Sequence, residues 1–298
     1  MNKVLVTIVL LAILLLICPV AGMAQTPEPN PEAERSSRAL TEIAQIGPDL
    51  TLWQAQRVIV AGFVSSPSFI EDDPGSFRFS PEGFEFNATL LGHRDSQHFK
   101  VDLNTLPQVF PKHGFGSYRL KNESGKDLPE PLNKLGWDGQ AQQTAELVAN
   151  ALNYLRLMAG AQGVALRDFP QAAAAWRALS PKPPIPEAVR AQRLLAETAV
   201  NDRKLAQALY HYERGVEIDP VWPEGRFNAA LVAAELEFYD EAVEQMRAYL
   251  ELAPNSSDAQ DARDHIVIWQ DKARQKAVTS HENQPPRNLG GFVFGRPK

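Results

Sequence analysis

The chain has 298 residues, 44% hydrophobic and 22% charged, enough to bury a normal core and long enough for two domains. Its 30 basic against 36 acidic side chains leave a net charge of −6, which argues against a nucleic-acid coat or a polybasic membrane binder. With 18 glycines and 23 prolines it is no low-complexity chain, and Cys18, its one cysteine, leaves residues 25–298 without a disulfide, a thiol nucleophile or a Cys-based metal site.

The first 24 residues form a separate unit. Lys3 precedes an apolar run from Val4 to Val20, and Gly22-Met23-Ala24 offers a small-x-small cleavage site before Gln25. This pattern predicts a secretory signal peptide and a periplasmic or secreted destination. The alternative is an uncleaved membrane anchor over residues 4–24, since the run approaches the roughly 20 residues that cross a bilayer. Residues 25–49 begin as a tether, Thr26-Pro27-Glu28-Pro29-Asn30-Pro31, with too few apolar groups to repay ordering. A short helix over Ser37–Ile46 follows, stopped by Gly47-Pro48.

From residue 50 to 158 the pattern predicts a strand-rich domain. Arg57 to Val64 is β-branched and apolar and reads as a strand. Phe77 and Phe79, then Phe84, Phe86, Ala88 and Leu90, then Phe99, Val101 and Leu103, then Tyr118 and Leu120 alternate at period two, as half-buried antiparallel strands do. Ser80-Pro81-Glu82-Gly83 and Asn122-Glu123-Ser124-Gly125 supply turns. A helix over Gln140–Leu157 closes the domain, with Ala141, Ala145, Val148, Ala151, Leu152 and Leu155 on one stripe. The expected fold class is therefore α+β: an antiparallel curved sheet or partial barrel with a C-terminal helix, followed by an α-helical hairpin array. The order of elements in the first part resembles the pleckstrin-homology-like superfold. Glu71-Asp72-Asp73 stands where lipid-binding members of that superfold carry basic residues, which points away from headgroup binding.

Residues 159–186 read as a junction: Gly160 and Gly163 lead to a short helix over Phe169–Leu179, and Ser180-Pro181-Lys182-Pro183-Pro184-Ile185-Pro186 reads as an extended interdomain strut.

The most informative signal is an internal repeat over residues 187–272. Val189 to Val221 and Pro223 to Ser256 match at one constant offset, which pairs Ala196 with Ala230, Ala199 with Ala233, Ala208 with Ala242, Tyr212 with Met246 and Pro220 with Pro254. This pattern resembles the tetratricopeptide repeat, a helix-turn-helix unit with a period of about 34 residues, in which small residues sit where the two helices meet. Phe238-Tyr239-Asp240-Glu241-Ala242-Val243 matches the turn and the start of the second helix. Gln192 and Arg226 depart from the pattern by replacing its Trp. Two repeats leave an open end, and Ser257 to Lys272, with Ala259, Ala262, Ile266 and Trp269 on one face, reads as a capping helix.

The resemblance implies a concave groove lined by the first helix of each repeat and receiving a protein or peptide segment. Carried over position by position, the partner-binding set is Arg190, Arg193, Glu197 and Asn201 from the first repeat and Glu224, Phe227, Asn228, Leu231 and Glu235 from the second. Basic clamps for a carboxylate terminus in this family place Asn four positions after the base, where this chain has Glu197, so carboxylate capture is not expected.

Charge separates the ends of this region. Residues 186–272 hold 17 acidic and 9 basic residues, whereas 273–298 hold 5 basic and 1 acidic and include Leu289, Phe292, Val293 and Phe294. The basic tail is an expected self-association or docking element.

No motif points to catalysis. Gly125-Lys126 lacks the upstream glycine of a phosphate loop, and His281-Glu282 lacks the second His of a zinc protease. The expected function is an exported adaptor or scaffold with no cofactor, no metal and no nucleic acid, and with a membrane contact only if the N-terminal segment stays uncleaved. Two alternatives stand: a hydrolase with its site in the strand-rich domain, since catalytic triads assemble in space, and a membrane-anchored assembly factor.

Overall fold

A computed structural model describes residues 49–72 and 76–282. The segments read above as a signal peptide and as a tether with a short helix, and the basic tail beyond 282, lie outside the described residues. The chain is a mixed α+β protein with two separate hydrophobic cores, one over residues 50–159 and one over 189–269.

The first core is built on helix α1 (Leu52–Val64), strands β1 (Phe69–Asp72), β2 (Arg78–Ser80), β3 (Gly83–Leu90), β4 (Gln97–Asp102), β5 (Val109–Gly114), β6 (Ser117–Asn122) and β7 (Gly136–Asp138), and the long helix α2 (Gln142–Ala178). The strands fall into two antiparallel sheets and not the single curved sheet expected. β3 is central in the first, paired with β4 on one edge and with β1 and β2, end to end, on the other; the second runs β5-β6-β7. Residues of both sheets contribute to one core. On the side of the first sheet, Phe63 of α1 sits amid Phe69, Phe77, Phe84 and Phe86, its ring 4.6 Å from that of Phe86. Asn153 of α2 anchors the second sheet, accepting from the Val109 amide and donating to the Val109 carbonyl, both at 2.8 Å.

The strand expected over Arg57–Val64 is helix α1. A reciprocal cap at its start decides this: Thr51 Oγ1 accepts from the Gln54 amide and the Gln54 side chain accepts from the Thr51 amide. Ala55, Val58, Ile59 and Phe63, all buried, recur at helical spacing and face the Phe cluster and α2. The β-branched composition that suggests a strand is here the mark of a helix buried on most of its surface.

A second correction concerns the junction. α2 continues without a break through Gly160, Gly163 and Pro170 to Ala178, so Phe169–Leu179 is no separate helix. Tertiary contacts hold the extension: Ala173 is fully buried, the Arg226 guanidinium lies 4.9 Å from the Phe169 ring, and Arg177 donates to the Glu251 carbonyl. The exposed Pro-rich segment that follows does not keep the two halves apart, because α1 and α2 pack directly on the helices beyond it.

Those helices are α3 (Glu187–Asn201), α4 (Leu205–Ile218), α5 (Pro223–Glu235), α6 (Tyr239–Leu252) and α7 (Ala259–Glu282). Each packs on the next, making two hairpins, α3–α4 and α5–α6, with α7 against α6. Ala196, Ala208, Ala230, Ala233 and Ala242 are fully buried. The small side chains let the helix axes approach, as ridges-into-grooves packing requires. Trp222, at the α4–α5 turn, fills the space between the hairpins. A Cβ on Gly215 would stand 2.5 Å from its ring, and one on Gly225 would stand closer still, so both positions need glycine.

Candidate functional site

The site residues carried over from the repeat resemblance lie on α3 and α5. Arg190, Glu197 and Asn201 are exposed on α3, and Glu224 and Glu235 are exposed on α5, with Asn228 and Leu231 half-buried. Helical spacing orders them into two stripes that match at the repeat offset: 190, 194, 197 and 201 on α3, and 224, 228, 231 and 235 on α5. The position that sequence reasoning missed is Leu194, whose side chain is 52% exposed although it shares the α3 stripe. Its signal was available, because the offset that pairs Ala196 with Ala230 also pairs Leu194 with Asn228.

Three of the residues meet. Arg193 reaches Glu197 at 3.7 Å on its own helix and Glu224 at 3.6 Å on α5, tying the two stripes together. These contacts are long and their two carboxylates lie open to solvent while the Arg193 side chain is half-buried, so they contribute little to stability. Arg190 turns to Glu187 at 3.5 Å, away from the others. Phe227 packs edge-on to Tyr249 at 4.9 Å and belongs to the wall of the second core more than to its surface.

A second cluster, unseen in the sequence, lies where the two cores join. Arg57 of α1 donates through Nη2 to Glu213 of α4 at 2.8 Å and through Nη1 to Glu241 of α6, and its guanidinium stands 4.8 Å from the Phe238 ring. Thr51 Oγ1 donates to the other oxygen of Glu213. Beside it, Glu217 accepts from the Leu52 amide at 2.7 Å, from Tyr154 Oη at 3.2 Å and from Arg214 at 2.7 Å.

Burial and like charge govern the electrostatics here. Burial pushes Glu241 well above the ordinary carboxylate range, with the neighbouring Glu213 adding to the shift and Arg57 opposing it. One guanidinium therefore faces two carboxyls, and burial together with the neighbouring Glu213 favours the neutral form of Glu241 while Arg57 favours the charged one. Burial by itself would lower Arg57, but Glu213 and Glu241 outweigh it and hold the guanidinium above its usual value. Burial also raises Glu217, against the Leu52 amide and Arg214, and raises the Tyr154 hydroxyl, which Glu217 pushes further.

This cluster has the members of an acid–base site but not the access. Thr51 is fully buried and the Glu213 side chain has no exposed surface, so no substrate reaches that pair. An open cleft of about 290 Å³ lies alongside, lined by Asp49, Leu50, Asn150, Tyr154 and Arg214. In the strand-rich half, His98 is shared by Asn87 at 3.1 Å and Glu85 at 3.7 Å, and His93 lies 3.1 Å from Gln97. Among the described residues no three of His, Cys, Asp and Glu converge as a metal site would need, and no helix is long and apolar enough to cross a membrane.

No family model matches the chain, and no curated protein matches it.

Proposed function

We propose that this chain is an exported, non-catalytic adaptor of the tetratricopeptide type, which binds an extended segment of a protein partner across α3 and α5. One observation carries the reading. Two helical hairpins recur at the repeat offset with fully buried alanines at equivalent positions, while α1 and α2 pack mainly on α4 and α6 and leave Arg190, Leu194, Glu197, Asn201, Glu224 and Glu235 exposed, with Asn228 and Leu231 half-buried. Exposed Arg, Asn and Glu side chains around Leu194 and Leu231 suit recognition by polar contacts with apolar anchors. The first lobe, bonded to α4 and α6 through Arg57, serves as a brace that holds the two hairpins in one arrangement. No cofactor enters this function.

A photo-crosslinking amino acid at Leu194 or Asn201, compared with one at Glu251 on α6, tests the reading in the organism of origin. The expected result is one common partner captured from both α3 positions and absent from the α6 control. Capture at all three positions alike, or at none, would remove the face from the proposal.

A further inference from the structure

The α3/α5 face has a candidate occupant within the same polypeptide. α7 runs back along α6, and its Lys272 and Lys276 lie over the Tyr239 ring at 5.5 and 5.9 Å. Lys276 Nζ reaches both the backbone carbonyl and the carboxylate of Glu237 at 3.2 Å. The chain therefore leaves the second core beside Glu237 at the α5–α6 turn, two positions after Glu235, the last residue of the α5 stripe. Asn201 closes the α3 stripe at the equivalent place in the first repeat.

Residues 283–298 extend from that exit and span roughly 50 Å when fully extended, more than the length of either stripe. They carry Arg287, Arg296 and Lys298 with no acidic residue, and Leu289, Phe292, Val293 and Phe294 in a glycine-rich setting. Opposite them, residues 186–272 hold 17 acidic and 9 basic side chains. On the face itself Glu197, Glu224 and Glu235 stand exposed beside Leu194, itself 52% exposed, and half-buried Leu231; Arg190 shares the stripe, Arg193 bridges Glu197 and Glu224 through long contacts, and Glu235 has no such bridge to it. The acidic surplus of residues 186–272 and the leucines of the face thus complement a basic, apolar tail, and a tethered segment binds at a high effective concentration, so modest affinity suffices.

We infer that residues 284–298 of the same molecule occupy the α3/α5 face, with Phe292 and Phe294 against Leu194 and Leu231 and the basic groups against Glu197, Glu224 and Glu235. This rests on the partner-binding reading of that face and adds its regulation: the tail and the partner compete, and displacement of the tail is the step that exposes the site.

The test compares the full chain with one ending at residue 282, and adds a synthetic peptide of residues 283–298. Truncation is expected to shift the amide resonances of Leu194, Asn201, Leu231 and Glu235, and the peptide to restore them, with affinity falling at least about tenfold when both Phe292 and Phe294 are Ser. Raising salt from about 50 to about 300 mM weakens the peptide further. Unchanged amide shifts on truncation, or a peptide that does not bind, would overturn the proposal. A concentration-dependent doubling of mass for the full chain that the truncated chain lacks would overturn it too, by placing the tail on a second molecule. Crosslinked partner yield keeps the two readings distinct. More capture by the truncated chain supports the tail's role, and equal capture rejects the tail while leaving the face intact. No capture by either chain rejects the face, with the peptide titration still deciding the tail.

Discussion

Arg57 and Glu213 lie 156 positions apart in the chain and 2.8 Å apart in space, and their bond is the centre of the contact between the two cores. A guanidinium on the strand-rich half is enclosed by carboxyls from both helical hairpins, since Glu241 of α6 takes its other nitrogen. Replacing Arg57 by Met leaves the carboxyls buried with no counter-charge. That class of change costs about 3–5 kcal/mol. Chemical denaturation of R57M measures it, and a second replacement, Glu213→Gln, is expected to recover part of the loss by removing the orphaned charge. A loss no larger than that of an ordinary surface substitution, about 0.5 kcal/mol, would show that the bond does not hold the lobes.

The same cluster sets a pH dependence with a definite sign. Glu241 and Glu217 both have folded values above the ordinary 4.5, chiefly through burial, so in the range above 4.5 the folded chain binds more protons than the unfolded one. Their contribution is complete below 4.5 and is lost as pH rises through the raised values. Stability from this source therefore falls on going from acid to alkaline solution. Urea midpoints measured between pH 5 and 9 are expected to fall more steeply for the native chain than for Glu241→Gln, which cannot ionise. Parallel curves would refute the assignment.

Trp222 offers a packing test away from any charge. Its ring lies where a Cβ on Gly215 or Gly225 would be, and the ring is fixed by burial to 1% exposure. Gly225→Ala is expected to destabilise the helical half by about 1–3 kcal/mol, the usual cost of overpacking. The change is read by thermal melting and by a shift of tryptophan emission. An unchanged melting temperature would mean that the ring can move aside.

The β5–β6 hairpin turns through Phe115 and Gly116, both at positive φ, 50° and 74°. Phe115 is fully exposed and gains no burial in return for its backbone strain. Asn tolerates that conformation far better, so Phe115→Asn is expected to stabilise the chain by about 0.5–1 kcal/mol, measured by chemical denaturation. A loss of stability instead would show that the phenyl ring makes a contact in solution that its exposure conceals.

The legible parts of this protein were those written in local pattern. Alternation at Phe84, Phe86, Ala88 and Leu90 placed β3, and the recurrence of Ala196, Ala208, Ala230 and Ala242 placed the hairpin helices, because each signal repeats within one element or one unit. Arg57–Val64 misled for a physical reason: a helix buried on most sides loses its polar face, and only the Thr51–Gln54 cap distinguishes it from a buried strand. α2 misled in the opposite way. Gly160, Gly163 and Pro170 are helix-weakening residues, and contacts of Phe169, Ala173 and Arg177 with distant elements outweigh them.

The sequence by itself determined the α+β composition, most strands and the recurrence of the helical unit, since each is written in local spacing; it put Arg190, Glu197, Asn201, Glu224 and Glu235 on helix faces that are exposed, but passed over Leu194 and counted Phe227, which packs on Tyr249. Only the tertiary structure decided that the strands divide into two sheets and that Arg193 bridges Glu197 and Glu224. It alone placed Arg57, Glu213 and Glu241 together. Those outcomes depend on desolvation and on contacts between residues far apart in the chain, and no local pattern encodes which buried charge will meet which partner.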